Sequence, residues 1–255
     1  MRIAVSATAG NETHCAQLAE SQGLFAVLID APVATETIAA AAAVVATTSI
    51  RIIVRLHVGT ENPVTLAEEI AVLDNISNGR IGVLADTGEL GEEAALEDIG
   101  LLRASWSGRP IRHQGERWRI PAGIDGHVTP DAIMVTPKPV QIDMPLWLTG
   151  KAASRVGRAL GLPSISEELG AIDPAANVAP GRITLQGSIE HDREALIAWS
   201  DAGATHIVCD VPVDAWDATL AKIVRWIVPE VAMVGFPRVV AEAELPLPWP
   251  RRTTI

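Results

Sequence analysis

The alternation of two kinds of segment constrains the fold of this chain more than any other feature of its sequence. Short apolar runs, such as Ile-Ile-Val at 52–54 and Ile-Val-Cys at 207–209, alternate with alanine-rich segments of high helix propensity. Continuously apolar strands are typical of parallel sheets that helices cover on both faces. The pattern therefore predicts βα units around a parallel sheet. The predicted strands are 3–6, 26–29, 52–58, 80–84, 146–148, 163–165, 183–186 and 206–209. The predicted helices are 13–22, 35–47, 63–77, 96–107, 152–160, 192–202 and 215–228.

The number of predicted strands and the length of the chain favour one closed barrel. A (β/α)8 barrel takes about 250 residues, and this chain has 255. We therefore expect an α/β fold with a single (β/α)8 TIM-type barrel over residues 1–228. Two places depart from the repeat: a long connection between strands 4 and 5, at 108–143, and a shortened sixth βα unit before residue 183. Residues 229–255 contain five prolines and are predicted to form a Pro-rich C-terminal extension packed on the barrel.

The acidic charge of the chain argues against two classes of partner. Its 20 basic and 31 acidic residues give a formal net charge of −11. Such a charge repels phosphate backbones and anionic membrane surfaces. The sequence also lacks an uninterrupted apolar run of about 20 residues, the length that spans a bilayer. We therefore expect no nucleic-acid partner and no membrane partner.

The cysteines and the N-terminus predict the compartment. Cys15 and Cys209 lie far apart and have no metal-ligand spacing, so neither a disulfide nor a zinc site is expected. His113, His127, His191 and His206 have no Asp, Glu or Cys at metal-ligand spacing, and we expect no metal. The first residues read as a strand and lack the features of a secretory signal. A cytoplasmic location is the expectation that fits these features.

Two segments carry motifs that are more specific than a generic βα repeat. The first is PVTLAEEIAVLDNISNGR at 63–80. Its proline suits the first turn of a helix, and its Asn78-Gly79 pair suits a left-handed helix end. The second is TPKPVQ at 136–141, which is followed by MPLWLTG at 144–150.

In their order and spacing, these segments resemble the luciferase-like monooxygenase superfamily, the bacterial luciferase-like flavin- or F420-dependent oxidoreductases. The resemblance covers about residues 48–160. It implies a TIM barrel that uses reduced FMN or coenzyme F420 and acts on a small organic substrate. It also implies that the loop after the fifth strand holds the cofactor phosphate.

The candidate catalytic residues lie at the C-terminal ends of the predicted strands, where barrels of this class place their active sites. His57 ends the third strand, and a neutral imidazole can donate or accept a proton near neutral pH. Asp86 follows the fourth strand and could polarise a substrate. The alternatives are a histidine satisfied within the core and an aspartate that forms a turn. Asp30 and Asp210 follow other strands.

The candidate cofactor site is the start of the helix after the fifth strand. Backbone N–H groups and the positive end of a helix dipole can hold a phosphate there. An ordinary strand-to-helix turn is the alternative. The predicted cofactor-binding residues are Thr149, Gly150, Lys151, Ala152, Ser154 and, after the third strand, Asn62.

More than one function remains open. The first is a luciferase-like oxidoreductase or monooxygenase that uses reduced FMN or coenzyme F420 on a small organic substrate. The second is a non-catalytic barrel that binds flavin or another ligand, or the inactive subunit of a heterodimer. It is favoured by Leu84 and Asp86, which stand where relatives have a glycine-rich turn. An aldolase or isomerase barrel would need a lysine or paired carboxylates at the strand ends, and only Lys151 lies near one.

The second predicted helix suggests how the chain could assemble. Its alanine block, residues 39–43, leaves almost no side-chain bulk. High helix propensity alone explains such a block, and so does the close approach of another helix. If the alanine block serves close helix approach, we expect a homodimer through the alanine-rich second helix and the third helix.

Overall fold

The computed structural model describes residues 1–123 and 127–232. The strands are β1 (Arg2–Ser6), β2 (Ala26–Ile29), β3 (Arg51–His57), β4 (Ile81–Asp86), β5 (His113–Gln114), β6 (Arg119–Ile120), β7 (Leu146–Thr149), β8 (Pro180–Thr184) and β9 (His206–Asp210). The α-helices are α1 (Glu12–Ser21), α2 (Glu36–Ala46), α3 (Pro63–Ser77), α4 (Glu92–Trp106), α5 (Ala153–Leu160), α6 (Ile189–Asp201), α7 (Trp216–Trp226) and α8 (Val228–Val231). A seven-stranded sheet has the order β7-β4-β3-β2-β1-β9-β8, and β5 pairs with β6 in a separate antiparallel hairpin.

The larger of two compact units comprises Ala7–Gln17 and Val27–Ile165. Within it, β3, β4 and β7 are parallel, and their register aligns the residues at the strand ends. His57 lies opposite Asp86, and Asp86 lies opposite Thr149. Because parallel strands end at the same edge of a sheet, this register collects the side chains after β3, β4 and β7 at one level.

Helix α3 has the ends that its sequence predicts. Pro63 occupies the first turn, where a missing N–H costs no helical hydrogen bond. The Asn62 side chain caps the helix by accepting a hydrogen bond from the Val64 N–H at 2.9 Å. Asn78, with φ 56°, ends the helix in the left-handed region, and Gly79 follows with φ 82°. The turn then feeds directly into β4.

The two sequence motifs contact each other in the larger unit. The Asp74 carboxylate, which is fully buried, accepts hydrogen bonds from the backbone N–H and the side-chain amide of Gln141. Asn75 donates to the Lys138 carbonyl at 2.7 Å. The 136–141 segment is therefore fastened to the last turn of α3, which gives a physical reason for the two motifs to occur together.

The long connection between β4 and β7 is structured around its hairpin. Ile111, Ile120 and Val135 pack with residues of α3 and α4 in one buried apolar cluster. The buried Asp98 carboxylate accepts hydrogen bonds from Arg117 and from the Trp118 indole N–H at 2.6 Å. Trp118 thus fixes the hairpin to α4.

The smaller unit comprises Met1–Ser6, Leu18–Ala26 and the chain from Ser166 onward. Its strands β8, β9 and β1 are parallel neighbours. At their ends, Arg182 makes a two-pronged ion pair with Asp210, whose carboxylate also accepts from the Ser6 hydroxyl at 2.5 Å. Asp210 thus lies in a hydrogen-bonded group within this unit.

The structure supports an α/β fold with a parallel seven-stranded sheet, one strand fewer than predicted. Residues 163–165 form no strand, and pairing there is limited to an isolated bridge between Leu148 and Ser164. Pro163 contributes no N–H to a ladder, which explains part of this loss. Between residue 165 and β8 the structure has a single 3-10 turn, Leu169–Ala171, in the region where the sequence predicted a shortened sixth βα unit. Of the predicted C-terminal extension, residues 233–255 lie outside the described residues.

Candidate functional site

A cluster of charged side chains lies at the C-terminal ends of the strands in the larger unit. Arg55 of β3 is at its centre. Its Nε and Nη2 donate to one oxygen of Asp86, at 3.1 and 2.7 Å, and its Nη1 donates to both oxygens of Asp30, at 3.0 and 2.7 Å. One guanidinium therefore joins the ends of β2, β3 and β4. Charge-assisted hydrogen bonds of this kind hold both partners in fixed orientations.

Asp86 is the more buried of the two carboxylates that bind Arg55, with a side chain that is 7% exposed. Burial opposes its ionisation. The hydrogen bonds from the Gly88 N–H and from Arg55, together with the positive charge of Arg55, outweigh burial and hold the pKa of Asp86 below its ordinary value of 3.8. Asp86 is thus ionised at neutral pH and acts as an acceptor.

His57 ends β3 two residues after Arg55. Its Nδ1 lies 2.8 Å from Oε1 of Glu36, in the first turn of α2, and its backbone N–H donates to the same oxygen at 3.3 Å. Its Nε2 lies 3.9 Å from Oδ2 of Asp86, which is too long for a hydrogen bond. The imidazole thus has one nitrogen bound to a carboxylate and the other directed toward the strand-end cluster.

A groove of about 300 Å³ adjoins this histidine between α2 and α3. Its walls combine apolar side chains with carboxylates and hydroxyls. The lining residues include Leu56, His57, Leu66, Glu36, Glu61 and Glu69. The groove gives a small molecule or water a route to the Glu36 and His57 pair from the helix side of the sheet.

The loop after β7 packs tightly against the loop after β4. The Lys151 N–H donates to the Gly88 carbonyl at 3.0 Å, and the Ala152 N–H donates to the Thr87 hydroxyl at 3.3 Å. Gly150 has φ +92°, and a Cβ there would lie 2.7 Å from atoms of both Asp86 and Thr87. The amides predicted to hold a phosphate therefore already donate within the protein.

The other predicted cofactor residues have ordinary structural surroundings. Lys151 pairs with Glu89 on the surface at 2.9 Å. Thr149 accepts from the backbone N–H and the hydroxyl of Thr87 through its carbonyl oxygen. Ser154 is exposed in the first turn of α5, and Asn62 caps α3 as described above. Cofactor binding by these residues stays a prediction.

Sequence reasoning placed His57 and Asp86 at the same edge, and the structure brings them close together. It missed Arg55 and Glu36. The signal for Arg55 was a charged residue in an otherwise apolar strand, two positions before His57 and therefore on the same face. No comparable signal marked Glu36, because 21 residues separate it from His57 and it reads as an ordinary acidic residue in the first turn of a helix.

A family comparison agrees with the motifs and the fold. The model of the luciferase-like monooxygenases matches residues 2–160, which is most of the chain. The chain belongs to the luciferase-like monooxygenase family. No curated protein matches it in sequence.

Solved structures show the same fold at low sequence identity. The monooxygenase RslO1 from Streptomyces bottropensis aligns with a TM-score of 0.68 and 14% identity over 90% of this chain and 99% of that one. The coenzyme F420 dependent tetrahydromethanopterin reductase from Methanopyrus kandleri aligns with a TM-score of 0.62 and 12% identity over 90% and 99%. A riboflavin lyase, RcaE, solved with modified FMN and riboflavin, aligns with a TM-score of 0.51 and 15% identity. That alignment covers 82% of this chain and 61% of the lyase. At these identities the likeness concerns the fold alone.

In the described part of the chain, no helix is both long and apolar enough to cross a membrane. Within residues 1–123 and 127–232, no three His, Cys, Asp or Glu side chains are grouped so as to hold a metal ion.

Proposed function

We propose that this chain is an oxidoreductase of the luciferase-like family that uses reduced FMN or coenzyme F420 on a small organic substrate. The observation that carries the proposal is the meeting of Arg55, His57 and Asp86 at the strand ends of the larger unit. Active sites of such α/β folds lie at that edge. Family membership supports the cofactor class, because similar solved structures include an F420-dependent reductase and an enzyme solved with modified FMN.

The strand-end cluster suits the polar edge of a tricyclic ring. Arg55 and His57 are both partly exposed, with side chains 27% and 22% accessible. At this edge of the sheet Arg55 can donate a hydrogen bond to a ligand, and His57 can donate or accept one. When bound, the reduced cofactor supplies the hydride or activates dioxygen. In this proposal Arg55 orients the ligand, Asp86 keeps Arg55 in place, and His57 exchanges a proton with the substrate.

The predicted phosphate loop is less well prepared than the strand ends. Its amides at Lys151 and Ala152 are used by the loop after β4, so a phosphate would have to exchange these hydrogen bonds. We propose that the loop binds the phosphate only after these hydrogen bonds have been broken. The residues that would then surround the phosphate are Thr149, Gly150, Lys151, Ala152, Ser154 and Asn62. A comparison of FMN with riboflavin, which lacks the phosphate, measures this contribution directly.

The proposal is tested by ligand-dependent melting and by turnover. FMN, riboflavin and coenzyme F420 are added separately to the purified chain, and a ligand present at 100 times its Kd raises the free energy of unfolding by about 2.7 kcal/mol. We expect at least one of them to raise the melting temperature, and we expect turnover with its reduced form to be lost in His57→Gln. Melting curves that no cofactor shifts, together with an absence of turnover, would contradict the proposal.

A non-catalytic barrel is the second candidate, and the closed loop after β7 favours it. The contacts of Gly150 with Asp86 and Thr87 leave no space for even a methyl group. If FMN and riboflavin stabilise the chain equally and neither supports turnover, the chain binds a ring without a phosphate site and without redox chemistry. That result would favour a binding barrel or an inactive subunit.

We also propose a homodimer through α2 and α3. Ile38 and Val45, seven residues apart on α2, are exposed, and so are Val72 and Ile76, four residues apart on α3. These spacings place each pair on one helix face, and exposed apolar faces of this kind mark interfaces. Sedimentation should give a dimer mass, and Ile38→Glu together with Val45→Glu should give monomers, whereas Val213→Glu, at an equally exposed position elsewhere, should not.

The remaining expectations on partners and location are proposals of the same kind. The charge of −11 supports a small-molecule substrate over a nucleic acid or a membrane surface. A cytoplasmic location is supported by two cysteines that are both free and buried.

A further inference from the structure

Glu36, in the first turn of α2, is a buried carboxylate that contacts His57 at the end of β3. The Glu36 side chain is 7% exposed, although it belongs to the first turn of a helix, where carboxylates are normally solvated. A buried carboxylate is costly unless hydrogen bonds compensate for its lost hydration. Its described hydrogen bonds all come from His57: the ring Nδ1 at 2.8 Å and the backbone N–H at 3.3 Å, both to Oε1. Glu36 is therefore bound specifically to that histidine.

The hydrogen bond fixes which ring nitrogen carries the proton. A carboxylate only accepts, so Nδ1 must donate to Oε1 and carry a hydrogen. In the neutral imidazole the other nitrogen, Nε2, then has a free lone pair. The backbone N–H of His57 donates to the same oxygen, which keeps that oxygen in position beside the ring.

The surroundings of Nε2 show where a proton would come from. Nε2 lies 3.9 Å from Oδ2 of Asp86, and that carboxylate is itself bound by Arg55. Two acceptors that face each other at this distance repel unless a hydrogen lies between them. A hydroxyl or amine group of a bound molecule can supply it, since its hydrogen satisfies Nε2 while Arg55 donates to the oxygen of a hydroxyl or Asp86 accepts a second hydrogen of an amine. Glu61 and Glu69 line the adjoining groove but make no described contact with the ring.

We propose that Glu36 is a positioning residue for His57: its carboxylate holds the Nδ1 proton and leaves Nε2 as the atom that exchanges a proton with a hydroxyl or amine substrate. When the X–H bond of the substrate breaks, its electron pair stays on X and the proton moves to Nε2. The imidazolium that forms keeps both ring protons, and Glu36 stabilises its charge. Orientation of a histidine by a buried carboxylate is a general device of acid–base sites. The inference deepens the proposed function and rests on it for the substrate, whereas the protonation of the ring can be measured independently.

The experiment uses two-bond nitrogen–proton NMR spectra of the full chain, in which the two imidazole tautomers have distinct patterns. His57→Gln identifies the signals of His57 among the six histidines. We expect neutral His57 in the wild type to carry its proton on Nδ1. In Glu36→Gln the amide oxygen, held by the backbone N–H of His57, should preserve this tautomer, and in Glu36→Ala the proton should move to Nε2.

Thr37→Val is the matched control, because Thr37 lines the same groove on the same helix but donates to Glu69 instead. It should leave the His57 signals unchanged. A wild-type ring protonated on Nε2 would overturn the inference even if the alanine variant failed to fold, and so would an alanine variant with an unchanged tautomer.

Kinetics separate this inference from the proposed function. With an active cofactor and substrate, Glu36→Ala should lower kcat by about tenfold or more with little change in KM, and Glu36→Gln should recover part of the loss. The expected tautomers without turnover by any cofactor would support the positioning role and count against the oxidoreductase. Turnover with unchanged kcat in both variants would count against the positioning role.

Discussion

Replacing Arg55 with methionine should lower the free energy of unfolding by about 3 kcal/mol, because it removes the positive partner from two enclosed carboxylates. Methionine retains much of the aliphatic bulk, so the loss reports mainly the ion pairs. Asp86 is 7% exposed and Asp30 is 24% exposed, and neither can be fully rehydrated in place. Urea unfolding at neutral pH measures the difference.

The exposed ion pair between Arg155 and Glu92 provides the control. Arg155→Met should cost less than about 1 kcal/mol, since solvent screens exposed pairs. An equal loss in the two variants would contradict a structural role for the strand-end cluster.

The effect of Arg55→Met should also shrink in acid. The pKa of Asp86 is lower in the folded protein than its ordinary value of 3.8. Its contribution to stability is therefore present above that value and is lost as the pH falls through the lower folded-state pKa. Unfolding curves of the wild type and of Arg55→Met should accordingly approach each other as the pH falls below about 4.

Gly150→Ala should destabilise the larger unit by about 3 kcal/mol. Part of this loss comes from φ +92°, which disfavours any residue with a Cβ by roughly 1–2 kcal/mol. The rest comes from the added Cβ, which would lie 2.7 Å from Asp86 Oδ1, the Gly88 nitrogen and Thr87 Oγ1. Two of these three atoms, the Gly88 nitrogen and Asp86 Oδ1, are joined by a hydrogen bond and cannot easily move apart, so overpacking adds about 1–3 kcal/mol.

Gly10→Ala separates the two contributions. Gly10 also has a positive φ, of +80°, but a Cβ there meets nothing within 4 Å. Gly10→Ala should lower the free energy of unfolding by only about 1 kcal/mol. If thermal or urea unfolding shows no greater loss for Gly150→Ala than for Gly10→Ala, the loops after β4 and β7 are not packed as tightly as the structure has them.

The two variants also bear on the function. Arg55→Met changes the charge at the strand ends, whereas Gly150→Ala changes the loop that was predicted to receive a phosphate. If FMN stabilises the wild type more than riboflavin does, and Gly150→Ala abolishes only that difference, the loop binds phosphate after rearrangement. If both ligands lose affinity only in Arg55→Met, the strand-end cluster carries the binding.

The sequence by itself determined the local elements of this protein. The alternation of apolar and alanine-rich segments predicted seven of the strands, and Pro63 with Asn78-Gly79 predicted both ends of α3. It also located His57 and Asp86 at one edge, since parallel strands bring their ends together. These features depend on backbone preferences and on hydrophobic period, which act over a few residues and are readable along the chain.

Only the tertiary structure decided which side chains meet at that edge. The register of the strands places Arg55 between Asp30 and Asp86. The position of the first turn of α2 brings Glu36 to His57, which lies 21 residues away in sequence. The packing of the loops after β4 and β7 encloses Gly150. Such contacts depend on strand register and loop conformation to within an ångström. The sequence pattern of an acidic residue in a first helical turn is the same whether its side chain is solvated or bound to another residue. For that reason the α/β fold with its parallel sheet could be anticipated, whereas the absence of a strand at residues 163–165 and the ion pairs within the charged cluster could not.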